Sequence, residues 1–239
     1  MITTRSLERL AGALALFCLA MAALLLGKPS FTNASRPPRG ISDPAVAIQV
    51  ARSMGEVDHI LGEAPSPDRE VMRFKERIDF VFIGAYTGLF LTLGWLLMRG
   101  GGWGWFAGPA AMICAAGTAA FDVMENFAIL RILDVPLYRM GPQMITAIRS
   151  ASAAKWDLAG LTLALLSSYF FRSSRWGVRI IGGLFLLSAA MDFYGLRDNR
   201  FLVWQGLPAV AGMVGIVVFL LGVARGGRNR VKRMALDQN

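Results

Sequence analysis

Four stretches of this chain contain no charged residue at all: Leu10–Leu26, Phe80–Met98, Gly100–Phe121 and Phe201–Ala224. Each is long enough to cross a hydrocarbon core of roughly 30 Å at about 1.5 Å per helical residue. Two further spans are weaker. Ala151–Phe171 is interrupted by Lys155 and Asp157, and Ile180–Leu196 by Asp192. A helix satisfies its own backbone hydrogen bonds, so the pattern predicts an all-α integral membrane bundle of about six transmembrane helices. Mean hydropathy of +0.49 points the same way.

The net charge of +9 raises nucleic acid as a partner, but its distribution argues for a membrane. With the N-terminus inside, the cytoplasmic segments hold Arg5 and Arg9, Arg99, then Arg172, Arg175 and Arg179. The tail adds Arg225, Arg228, Arg230, Lys232 and Arg233, placed to lie against anionic lipid headgroups. The short outer loops carry fewer basic residues, so positive-inside bias gives both termini in the cytoplasm. Trp95, Trp103, Trp105, Tyr169 and Trp176 fall at expected inner ends, and Trp156, Tyr194 and Trp204 at outer ends, as interfacial belts. The expected location is a bacterial cytoplasmic (inner) membrane, multi-pass, with the bilayer and a membrane protein as partners and no nucleic acid.

This topology divides the chain into four parts. Residues 1–27 read as a signal-anchor, because the apolar run is long for a cleaved signal and no small-x-small site follows Gly27. Residues 28–77 form an extracytoplasmic linker and amphipathic helices, residues 78–224 a five-helix bundle, and residues 225–239 a basic tail. In the extracytoplasmic part, Ser42-Asp43-Pro44 starts a helix in which Val46, Val50, Met54, Val57 and Leu61 share a face up to Gly62. Ser66-Pro67 opens another helix that runs into the second span. Gly100-Gly101-Gly102 makes a tight turn, and the third span stays apolar to Leu133. Pro142 begins the helix leading into the fourth span, and Ala211-x-x-x-Gly215 is a small-residue face in the sixth.

The polar groups gather at one depth. Asp79 opens the second span on the outer side, and Asp122, Glu125 and Asn126 close the third. Lys155 and Asp157 come early in the fourth, Asp192 late in the fifth, and Gln205 early in the sixth. Asp122, Glu125 and Asn126 share a helix face at i, i+3 and i+4. Lys155 is the natural partner for either acid. Two readings compete: a functional site, with paired carboxylates for acid/base work or Asp122 and Glu125 as ligands to a hard cation, and a structural ion-pair network. The structural one is the expectation taken forward. Lys155 also has the option of snorkelling outward, and Asp157, two residues on, must face elsewhere.

His59 is the only histidine and sits on the outer helix, which excludes paired-histidine zinc chemistry. Gly100–Gly104 lacks the lysine and hydroxyl of a phosphate loop. Cys18 and Cys114 lie in apolar spans and support neither a disulfide nor a thiolate site. No cofactor is expected.

Phe121-Asp122-Val123-Met124-Glu125-Asn126, with Lys155-Trp156 opening the next span and Arg77-Ile78-Asp79-Phe80 entering span two, resembles small bacterial polytopic inner-membrane proteins with an Asp-x-x-Glu-Asn motif in a middle span. Those proteins are uncharacterised, so the resemblance implies a fold and a place to mutate, and no activity. The leading expectation is non-enzymatic binding of a lipid, small ligand or partner protein at the outer end of the bundle. The alternatives are a membrane enzyme using Asp122 and Glu125, with or without a metal, and a transporter component.

Overall fold

The computed structural model describes residues 3–27, 29–32, 41, 43–195, 204 and 206–219. The basic tail, Gln205, Arg197 and Arg200 lie outside the described residues. The described part is all-helical, with no strand. In chain order the helices are α1 (Thr4–Leu26), α2 (Pro44–Gln49), α3 (Met54–Leu61), α4 (Pro67–Arg99), α5 (Gly104–Leu133), α6 (Pro142–Phe171) and α7 (Trp176–Gly195). A shorter apolar helix, α8 (Gly206–Phe219), follows.

Helices α1, α4, α5 and α7 are long and apolar enough to cross a membrane. Helix α6 carries Arg149, Lys155 and Asp157, which set it apart from these four despite its length. Neighbours in sequence are neighbours in space: α1 packs on α4, α4 on α5, α5 on α6, and α6 on α7, with α4 also touching α6. One apolar core fills this bundle through Leu89, Leu93, Ala111, Ala115, Leu166 and Phe185. A second core lies at one end, hereafter the cap end. There Ile48, Val57, Leu61 and Met72 meet Ile129, Ile132, Ile145 and Ile148, so that α2 and α3 lie on the ends of α4, α5 and α6.

Local chemistry sets the helix ends. Ser66 Oγ accepts from the Arg69 amide at 3.3 Å, and Pro67 follows in the first turn of α4. Gly101 and Gly102 have φ of 70° and 55°, the left-handed region that lets the α4–α5 turn close in so few residues. Three long cations cap helix ends, where backbone carbonyls lack partners. Lys75 donates to Leu25 and Gly27 at the end of α1, Arg172 donates to the Gly101 carbonyl at 3.1 Å, and Arg69 covers the end of α5.

Two details differ from the sequence expectation. The amphipathic helix over 44–62 is broken at residues 50–53 into α2 and α3. Ser53 Oγ accepts from the Glu56 amide at 3.2 Å while the Glu56 carboxylate accepts from the Arg52 amide at 2.6 Å, a reciprocal cap that starts a new helix. In α8 the close-packing face is Gly212 with Gly215 rather than Ala211, which is exposed. A Cβ at Gly212 would come within 2.5 Å of the Phe185 ring, and one at Gly215 within 2.8 Å of Ile181.

The tightest helix contact joins α4 to α5. A Cβ at Gly108 would lie 2.5 Å from the Gly94 carbonyl oxygen and 2.8 Å from the Met98 amide nitrogen, both backbone atoms with no rotamer to yield. Gly108→Ala is therefore expected to destabilise the protein by about 1–3 kcal/mol, in the range of other overpacking substitutions. Thermal unfolding in detergent reads this directly, and an unchanged midpoint would show that the two helices separate freely.

Candidate functional site: a buried charge cluster beneath the cap

The cluster forms where one face each of α4, α5 and α6 converge below the cap core. On α4 the face reads Arg69, Met72, Glu76, Asp79, Ile83, Tyr86 and Phe90, spaced three and four residues apart as a single helical stripe demands. On α5 it reads Thr118, Asp122, Glu125, Asn126 and Ile129, and on α6 Ile148, Ser152, Lys155 and Ala159.

Lys155 stands at the centre and is only 5 % exposed. Its Nζ lies 3.0 Å from Asp122 Oδ1 and 2.8 Å from each of the Glu125 oxygens, Oε1 and Oε2. Tyr86 donates its hydroxyl to the other Asp122 oxygen, Oδ2, at 2.8 Å. Asn126 Nδ2 donates to Asp79 Oδ2 at 2.8 Å, which ties α5 to α4 one turn further on. The ammonium donates to both carboxylates, at Asp122 Oδ1 and Glu125 Oε1, while Glu125 Oε2 has no hydrogen bond of its own among the described residues. Snorkelling is thus corrected: two buried acids on α5 hold the side chain inward more strongly than solvent draws it out.

The cluster meets the cap through Trp156. Its ring lies 4.8 Å from Lys155 Nζ, and its Nε1 donates to Gln49 Oε1 on α2 at 3.1 Å. Trp156 is half-buried and bonded to the cap. Trp95, Trp103, Trp105, Trp176, Tyr194 and Trp204 are exposed. Above the cluster, Arg69 is 1 % exposed and donates from Nε to the Gly62 carbonyl at 2.9 Å. Its Nη1 reaches the carbonyls of Ile132, Leu133 and Val135 at 2.9, 3.0 and 3.2 Å. Beside it, Thr32 donates from both its amide and its hydroxyl to Asp68 Oδ1 at 2.7 and 2.8 Å, pinning the linker to the start of α4.

Of the residues singled out in the sequence, Asp79, Asp122, Glu125, Asn126 and Lys155 come together. Asp157 is exposed and faces away. Asp192 is 2 % exposed on α7, with no hydrogen bond or ion pair among the described residues, and it stands apart from the Lys155 network. Sequence reasoning missed Tyr86 and Glu76. Both could have been found from spacing, since they lie seven residues after and three before Asp79 on the same stripe. Among the described residues no group of three or more His, Cys, Asp or Glu is placed to hold a metal ion. Asp122 and Glu125 already share an ammonium where such an ion would sit. No protein-family model matches the chain, and neither a curated protein nor a solved structure does.

Proposed function

We propose that this chain is a non-enzymatic protein of the bacterial inner membrane that binds a lipid, small ligand or partner protein at its cap end. In this reading it has six spans, both termini lie in the cytoplasm, and α2 and α3 face the extracytoplasmic side. The observation that carries it is the closed set around Lys155. Asp122 and Glu125 share the one ammonium, are buried, and are oriented by one another's partners. Neither is left free as the general base that acid/base chemistry needs within reach of a substrate. The network holds the three helix ends in register, and the cap above them is the surface on which a partner is met. A transporter reading has less support. In the half of the bundle away from the cap, the Thr92, Thr162 and Ser167 hydroxyls each turn back to a carbonyl of their own helix, at 2.7, 2.8 and 2.7 Å. They lead nowhere across the bilayer.

Native mass spectrometry of gently solubilised protein tests the proposal. A retained lipid, ligand or protein mass on the wild type is expected, and it should weaken in Trp156→Phe, which keeps an aromatic ring but loses the indole N–H bond to Gln49. Bare spectra across lipid compositions would overturn the binding reading. A bound divalent metal that disappears in Glu125→Gln would replace it with the metal-assisted enzyme.

A further inference from the structure

The cluster holds more acid than base. Four carboxyl groups, from Glu76 and Asp79 on α4 and Asp122 and Glu125 on α5, surround a single lysine. Three of the four have a partner: Lys155 serves Asp122 and Glu125, and Asn126 serves Asp79. Glu76 has none. It is 6 % exposed, faces those three acids and Lys155, and makes no hydrogen bond or ion pair among the described residues. An isolated carboxylate in a dry interior costs far more than a neutral acid, and adjacent negative charge raises that cost. A positive charge is missing from the site. The carboxylates are not spaced to ligate a metal ion, so the charge that fits is the smallest one.

We propose that the cluster is a proton-binding site, with Glu76 as the residue that carries the exchangeable proton. Its neighbours from each packed element are consistent with this. Helix α4 itself brings Asp79 and Tyr86, α5 brings Asp122 and Glu125, and α6 brings Lys155. Helix α1 brings no charged residue to this end, and Asp58 and His59 on α3 are exposed. Lys75 and Arg73, on the same helix as Glu76, are engaged elsewhere, with Leu25 and Gly27 and with Asp134 and Glu70 respectively. Met72, one turn before Glu76, belongs to the cap core, so a charge on Glu76 weakens the seat of α2 and α3. The folded protein then binds a proton that the unfolded chain releases, and stability falls as pH rises. Protonation would couple the medium at the cap end to the seating of the cap. This holds whatever ligand the cap receives.

The test compares wild type with Glu76→Gln, which copies the neutral acid in shape. Thermal unfolding of each in detergent should show the wild-type midpoint falling by about 3 °C or more from about pH 6 to about pH 9, with a clearly smaller fall in the variant, which keeps the other unpaired buried acid, Asp192. Infrared spectroscopy of the folded protein should show a protonated carboxylic acid band that the variant lacks. Equal pH slopes with no band lost would overturn the proposal. So would saturable stabilisation by sodium or potassium, at matched ionic strength, that vanishes in Glu76→Gln, because the missing charge would then be a metal cation. Should Glu76→Gln fail to fold, the infrared band is read in Asp192→Asn, which removes the other unpaired buried acid: a band present at neutral pH and lost in alkali supports the site, and its absence overturns it.

Discussion

Lys155→Met lowers the stability of the folded protein by about 3–5 kcal/mol, the range found when one partner of a buried ion pair is removed. The size follows from what remains. Asp122 and Glu125 are 7 % and 1 % exposed, and losing the ammonium leaves two carboxylates facing one another with Tyr86 as the nearest donor to one of them. For a chain of this length that is a fall in unfolding midpoint on the order of 10 °C. The triple variant Lys155→Met, Asp122→Asn, Glu125→Gln should recover much of the loss, because the penalty is uncompensated charge more than lost attraction. A methionine variant as stable as wild type would mean the lysine reaches solvent in the membrane, as a snorkelling side chain would. A triple variant no better than the single one would assign the loss to packing.

Parts of this architecture were legible because helices impose two periodicities at once. Uncharged length marked the long helices, and polar residues three and four apart marked the face on α5 where Asp122, Glu125 and Asn126 meet α4 and α6. Depth then brought Lys155 to the same level. Depth could not fix rotation about a helix axis, and so Asp192, at a similar level on α7, stands outside the network while Asp157 faces away. Glu76 and Tyr86 were overlooked because one precedes the uncharged run and the other sits within it, where a tyrosine reads as core. The break between α2 and α3 was hidden by an apolar spacing that runs straight through it. Ser53 and Glu56, at capping-box distance, were the contrary signal. Arg69 left a fainter trace. A cation in the first turn of α4, between Asp68 and Glu70, opposes that helix's own dipole, and it makes sense only as a group directed at another helix's carbonyl end.

That reasoning gives Arg69 a large expected effect of a different kind. Arg69→Met removes four hydrogen bonds, to Gly62, Ile132, Leu133 and Val135, and leaves the Leu133 carbonyl buried without its side-chain donor while Ile132 keeps only backbone donors. Unpaired buried groups cost about 1–3 kcal/mol each, and these are not additive, so a loss of about 3 kcal/mol is expected. Arg69→Lys should recover little, because a single ammonium cannot reproduce a fork that addresses Gly62 from Nε and α5 from Nη1. The loss should be local. The bond to Gly62 ties the end of α3 to α4, and the bonds to α5 tie that junction to the bundle, so limited proteolysis should cleave residues 50–66 faster in Arg69→Met. The bundle core around Leu89 and Phe185 should meanwhile keep its protection. Lys155→Met is expected to show the opposite order, with the helices loosening together and the cap released only as they part. Cleavage that rises equally across the chain in Arg69→Met would show that the cap and the bundle form one cooperative unit, and that the arginine holds both.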